Sequence, residues 1–99
     1  MTIKVSPISF HGVTPSPALE ANIERQVQHL QKIAPALHVR RIAVEAPDPK
    51  KFRVVVDLSV PGEELVSSDQ ANDDPYLAVR DAFAAVRRRI REAKKNQRR

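Results

Sequence analysis

The chain has no cysteine, so neither a disulfide framework nor a thiolate metal site is available to it. Only two glycines occur, Gly12 and Gly62, fifty positions apart, and they cannot form a phosphate-cradling loop. Tryptophan is absent, and the aromatics are limited to Phe10, Phe52, Tyr76 and Phe83. A single-strand RNA binder that stacks bases needs an exposed aromatic platform. Four rings cannot easily supply both that platform and a core, so any nucleic acid should be held through phosphates and shape. No apolar run approaches the length of a membrane span. The opening "MTIKVSPISF" has neither the charge pattern nor the apolar stretch of a signal peptide. A cytoplasmic protein without membrane partners is the expectation.

What remains is short and basic. Ninety-nine residues carry a formal net charge of +5, which favours an anionic partner. This length suits one domain with a single two-layer core. The charge is concentrated at the end, where "VRRRIREAKKNQRR" holds eight basic side chains and one acid.

Periodicity predicts six elements. "IKVS" (3–6) alternates as a short strand ending near Pro7, and "HGVTPSP" reads as loop. Ser16 and Pro17 start a helix, the serine oxygen accepting a free N–H and the proline wasting no donor. Leu19, Ile23, Val27, Leu30 and Ile33 then recur at helical spacing until Pro35. "VRRIAVEA" (39–46) is a strand with Ile42, Val44 and Ala46 on one face. "PDPK" is a turn, and "FRVVVDLSV" (52–60) is the clearest strand, with Phe52, Val54, Val56, Leu58 and Val60 aligned. After "PGE", "ELVSSDQ" (64–70) makes a weaker fourth strand. Asp74 and Pro75 repeat the cap-and-proline device before a helix whose inner face is Val79, Phe83, Val86 and Ile90. The expected fold is therefore α+β, in the order β-α-β-β-β-α, with a four-stranded sheet and both helices packed on its one apolar face. Residues 1–95 form the single domain, and 96–99 read as a frayed basic tail.

Charge is sorted by face on both helices. On a wheel of about 100° per residue, Arg80, Arg87, Arg91, Lys94 and Arg98 share one flank of the second helix. Arg88 and Lys95 lie on its back, while Asp81 and Glu92 gather opposite. In the first helix Arg25, His29 and Lys32 share a flank, and Glu20 and Glu24 take the other. A basic last turn also complements the helix dipole, so a solvated helix end is the competing reading. Sorting on both helices favours a polyanion-binding surface, without showing that the two flanks adjoin.

Catalytic constellations are missing. His11, His29 and His38 lack metal-ligand spacing, and the serines lack a nucleophile elbow. Helix capping accounts for Asp74. Tyr76, in the first turn of the second helix, is either a core-edge residue or a nucleic-acid contact. No enzyme, no cofactor and no small-molecule substrate are expected.

Three stretches together, "TPSPALEANIERQVQHLQKI", "FRVVVDLSVPGEELVSSDQ" and "DDPYLAVRDAF", resemble the bacterial ribosome hibernation-promoting factor and ribosome-associated inhibitor family, also associated with sigma-54 modulation. The signature is carried above all by Asp74, Tyr76, Ala78 and Val79 before a basic helix. The resemblance implies a fold similar to double-stranded RNA-binding domains. It also implies a role in the ribosome, where occupancy of the small subunit's mRNA and tRNA channel blocks both ligands when growth slows. Arg88, Arg91 and Lys94 match positions usually basic in the family, as does Lys32, and His29 stands where lysine is common. Gln26 and Ala85 occupy positions often basic, and Arg80 replaces a usual acid. Charge sorting and the resemblance together give the candidate RNA-binding set Arg25, His29, Lys32, Tyr76, Arg80, Arg87, Arg88, Arg91, Lys94 and Lys95, facing small-subunit rRNA in competition with tRNA and mRNA. The chain is similar to the short form of the family, without an added ribosome-pairing domain. The alternatives are a generic double-stranded RNA binder and a protein-interaction module using the open sheet face.

Overall fold

A computed structural model describes residues 8–48, 50–60 and 66–97, with side chains described as far as residue 93. Its elements are β1 (Ile8–His11), α1 (Pro17–Ile33), β2 (His38–Asp48), β3 (Lys51–Ser59), β4 (Val66–Asn72) and α2 (Pro75–Gln97). The strands lie in the order β1-β2-β3-β4. β1 pairs parallel to β2, as a strand followed by a helical crossover allows, and the other pairs are antiparallel. Both helices cover one face, α2 lying over β3 and β4 with α1 beside it.

The expected strand at 3–6 lies outside the described residues. β1 is Ile8–His11, so His11, expected in a loop, ends a strand. Ile8 and Phe10 pack against the core. The strand stops at Gly12, whose φ of 72° suits glycine and few other residues. α1 begins as its sequence demands: the Leu19 N–H donates to Ser16 Oγ at 3.2 Å, and Pro17 stands in the first turn. It ends at Ile33, where the Ala34 N–H still donates to the Leu30 carbonyl at 2.8 Å.

β2 runs longer than 39–46, from His38 to Asp48. Val39 and Ile42 are both in the core although three residues apart, an odd spacing that strict alternation forbids. A register shift between Val39 and Arg41 resolves this: one extra residue, Arg40, restores both apolar side chains to the same face. A second shift, between Glu45 and Asp48, coincides with Pro47, which has no N–H to give the ladder. The expected "PDPK" turn is thus shortened to the end of this segment, where the Lys50 N–H donates to Asp48 Oδ1 at 2.8 Å. β4 is displaced from 64–70 to Val66–Asn72, residues 64 and 65 lying outside the described set.

Leu19, Ile23, Val27 and Leu30 of α1 meet Val54, Val56 and Leu58 of β3 and Val79, Phe83, Val86 and Ile90 of α2 in one continuous core. Phe83, the largest fully buried side chain, anchors α2 in it. Ser68 is the exception, a buried hydroxyl without a hydrogen-bond partner among the described residues. α2 continues to Gln97, so the helix extends into the segment read as a tail; 98 and 99 lie outside the described residues.

Candidate nucleic-acid interface

α2 is started by Asp74. Its carboxylate Oδ1 accepts the Tyr76 N–H at 2.9 Å, and its carbonyl accepts the Ala78 N–H at 3.0 Å. The first of these satisfies one of the orphan donors of the first turn, and the second is the first bond of the helical ladder. The same geometry turns the Tyr76 ring outward, where it remains 42% exposed. Because Ala78, Val79, Ala82, Phe83, Val86 and Ile90 turn to the core, the helical period forces the intervening residues into solvent.

Around that outer surface Ala84, Arg87, Arg88, Arg91 and Glu92 line one open depression. The spacing explains it: Arg87 and Arg88 lie three and four residues beyond Ala84, and Arg91 and Glu92 one further turn on. Alanine supplies no side chain to fill the middle, so it forms the floor and the longer residues the walls. Arg88 and Arg91 are exposed and Arg87 is half-buried. Lys94 and Lys95 follow on the last turns of α2, where the backbone alone is described. On α1, Arg25, His29 and Lys32 are all exposed.

The arginines divide into two groups by what they touch. Arg40 donates to Ser59 Oγ at 3.3 Å, Arg41 pairs with Glu45 at 3.9 Å, and Arg80 pairs with Asp81 at 3.2 Å. Arg53 is held by both Glu45, at 3.7 Å, and Asp69. Arg89 donates to the Ser67 carbonyl at 3.0 Å. Arg25, Arg87, Arg88 and Arg91 make no ion pair or side-chain hydrogen bond with any described residue. No described residue neutralises these guanidinium groups, and they all lie on the helices.

Arg89 also orients α2. β4 is the outermost strand on its side of the sheet, and Arg89 is an exposed side chain that reaches its Ser67 carbonyl. The flank of α2 that carries Arg89 therefore faces the sheet edge. Arg87, Arg88, Arg91 and Glu92 line the open depression on the outer surface of α2 instead. The run "RRR" at 87–89 thus divides, Arg87 and Arg88 lining the depression and Arg89 bonded to the edge strand.

The open sheet face carries charge too, but balanced charge. Arg41, Glu45, Arg53 and Asp69 form a chain of ion pairs across β2, β3 and β4. Glu45 sits directly opposite Arg53 in the ladder, while Asp69 lies on the diagonal, next to Ala71, which faces Arg53. Arg41 and Glu45 meet above Ala43, which is fully buried although its side chain points to the solvent side. Hydrogen bonding from Arg53, and then its charge, holds the Asp69 carboxyl below the ordinary carboxylate range against the opposing effect of burial. Arg53 is correspondingly raised, first by the hydrogen bond to Asp69.

Among the described residues no group of three or more His, Asp or Glu is placed to hold a metal ion. None of the described helices is long and apolar enough to cross a membrane.

Comparison with known proteins fits this architecture. Residues 7–98 match the family model described as sigma 54 modulation protein / S30EA ribosomal protein. Two solved structures share the fold. The Protein Y N-terminal domain of Thermus thermophilus superposes with a TM-score of 0.80 at 16% identity, over 91% of this chain and 98% of that one. A ribosomal subunit interface protein from Coxiella burnetii gives a TM-score of 0.75 at 21% identity, over 89% of this chain and 97% of that one. No curated protein matches. The chain belongs to the sigma 54 modulation protein / S30EA ribosomal protein family.

Proposed function

We propose that this family member is a ribosome-associated hibernation factor. It binds small-subunit rRNA in the channel for mRNA and tRNA and blocks both ligands in non-growing bacterial cells. Residues 1–95 act as one ribosome-binding unit, and no covalent chemistry is involved. Occupancy of the site is the mechanism.

The observation that carries this reading is the contrast between the two faces. On the sheet side Arg41 and Arg53 are already neutralised by carboxylates. On the helix side Arg25, Arg87, Arg88 and Arg91 are unpaired among the described residues. A polyanion releases counterions only where it meets unpaired cations, so the helical face is the one that gains from binding. Phosphates dominate such contacts, and arginine's fork suits them better than a point charge does. The name of the Coxiella burnetii relative, a ribosomal subunit interface protein, supports the same assignment. So does the family description.

Co-sedimentation with small ribosomal subunits across a salt series, with and without saturating tRNA, tests it. About six phosphate contacts give a log–log salt slope of roughly −4 to −5. Binding should be displaced by tRNA. Salt-independent binding, or binding indifferent to tRNA, would refute the proposed site.

A further inference from the structure

The depression on α2 contains one residue that a phosphate-binding surface alone does not explain. Glu92 lines it together with Arg87, Arg88 and Arg91 above the Ala84 floor. A carboxylate beside three guanidinium groups opposes the binding of a bare anion, since like charges repel. Among the described residues the carboxylate has no partner. Glu92 lies four residues after Arg88, a spacing at which helical ion pairs form, and it follows Arg91 directly. It is exposed and pairs with neither. No described residue occupies its oxygens, and they are acceptors at the rim of a depression whose other long side chains are all donors.

We infer that the depression seats one ribonucleotide unit, with Arg87, Arg88 and Arg91 holding the backbone phosphate and Glu92 accepting a hydrogen bond from the ribose 2′-hydroxyl. This deepens the RNA-binding reading above and rests on it. The chemistry of the ligand matches the lining. A ribonucleotide presents anionic oxygens and, beside them on the same sugar, a hydroxyl donor. A deoxynucleotide presents the anion alone. The 2′-hydroxyl is the group by which a protein tells RNA from DNA. The arginines then supply affinity, while Glu92 supplies the choice of sugar, its repulsion of phosphate being offset only when a hydroxyl donates to it. Ala84 is what makes room, because a longer side chain at that turn would fill the seat.

The test is displacement of the full chain from small ribosomal subunits by matched competitors: one hairpin sequence as RNA, as 2′-O-methyl RNA and as DNA. A hydrogen bond to a charged acceptor contributes about 1.5–3 kcal/mol. RNA should therefore compete at least about tenfold better than either analogue. In Glu92→Ala the three competitors should converge, through tighter binding of the DNA and 2′-O-methyl forms. Glu92→Gln keeps an acceptor and removes the charge, so it should retain most of the preference for RNA. Circular dichroism of both variants should match the parent, because the side chain is exposed. An unchanged RNA preference in Glu92→Ala, or no preference in the parent, overturns the inference while leaving subunit binding intact. Failure of the parent chain to bind subunits overturns the RNA-binding reading and this one with it.

Discussion

Replacing Arg87, Arg88 and Arg91 together by glutamine removes three unpaired cations and leaves every described hydrogen bond of the fold in place. Each phosphate contact contributes about 0.9 to the salt slope on a duplex and about 0.7 on a single strand. Extrapolated from a 1 M reference to 0.1 M salt, one contact is worth roughly eightfold or fivefold in affinity. Three contacts are then worth about 500-fold on duplex rRNA and about 100-fold on single-stranded segments. The log–log slope should fall in magnitude by about 2 to 3. The matching control is Arg41→Gln with Arg53→Gln, on the opposite face. Both of those cations already hold carboxylates, so neither is available to displace counterions from the RNA phosphates. Subunit co-sedimentation between 50 and 300 mM salt (roughly the range over which such slopes are read) measures both variants. Equal losses from the two faces would refute the reasoning, since the ion-paired and the free arginines would then contribute alike. A helix-face variant with reduced affinity but an unchanged slope would refute it as well, because the loss would not be electrostatic.

Further outcomes follow from the core and the sheet. Ser68→Ala should stabilise the fold by about 1 kcal/mol, because an unpaired buried hydroxyl carries its desolvation cost with no bond in return. In a domain of this size that is a rise of about 4–8 °C in Tm, read by thermal denaturation, and an unchanged or lower Tm would reveal a partner for the hydroxyl. Phe83→Ala should cost about 3–5 kcal/mol, a large part of the stability of a small domain, and should bring the urea midpoint down sharply. Ser16→Ala removes the acceptor for the Leu19 N–H and should cost about 1 kcal/mol by the same measurement. The Asp69 carboxyl has a lower pKa in the folded chain than in the unfolded one, so its contribution is present above an ordinary value near 3.8 and is lost as pH falls through the folded value. The side chain is exposed, so the effect is no more than about 1 kcal/mol. Asp69→Asn should be less stable than the parent at neutral pH and should match it once the carboxyl is protonated; a gap that persists in acid would contradict the ion-pair account.

Local chemistry made much of the fold legible. Ser16-Pro17 and Asp74-Pro75 each state where a helix begins, because side-chain capping and a missing N–H act within a few residues. The alternation from Phe52 to Val60 names its own buried face. The strand Ile8–His11 is not legible in the sequence because it follows directly on Pro7, and four residues are too few to show a period. β2 was shortened for a related reason. Its two irregularities shift the pattern by one residue, and a register shift is visible only against the paired strand.

The candidate site shows the same division. Charge sorting on each helix is a property of 3.6-residue periodicity, so the sequence by itself determined which flank of α2 holds Arg80, Arg87 and Arg91. It also determined that both helices bury one stripe, and with it the two-layer architecture. Only the tertiary structure decided which of the arginines are free. Arg89 is bound to the edge strand by a contact spanning 22 residues. Arg53 is neutralised by partners on two neighbouring strands. Periodicity is a short-range consequence of backbone geometry, written residue by residue. Whether a cation is spent or available depends on what distant segments bring beside it, and no local pattern encodes that.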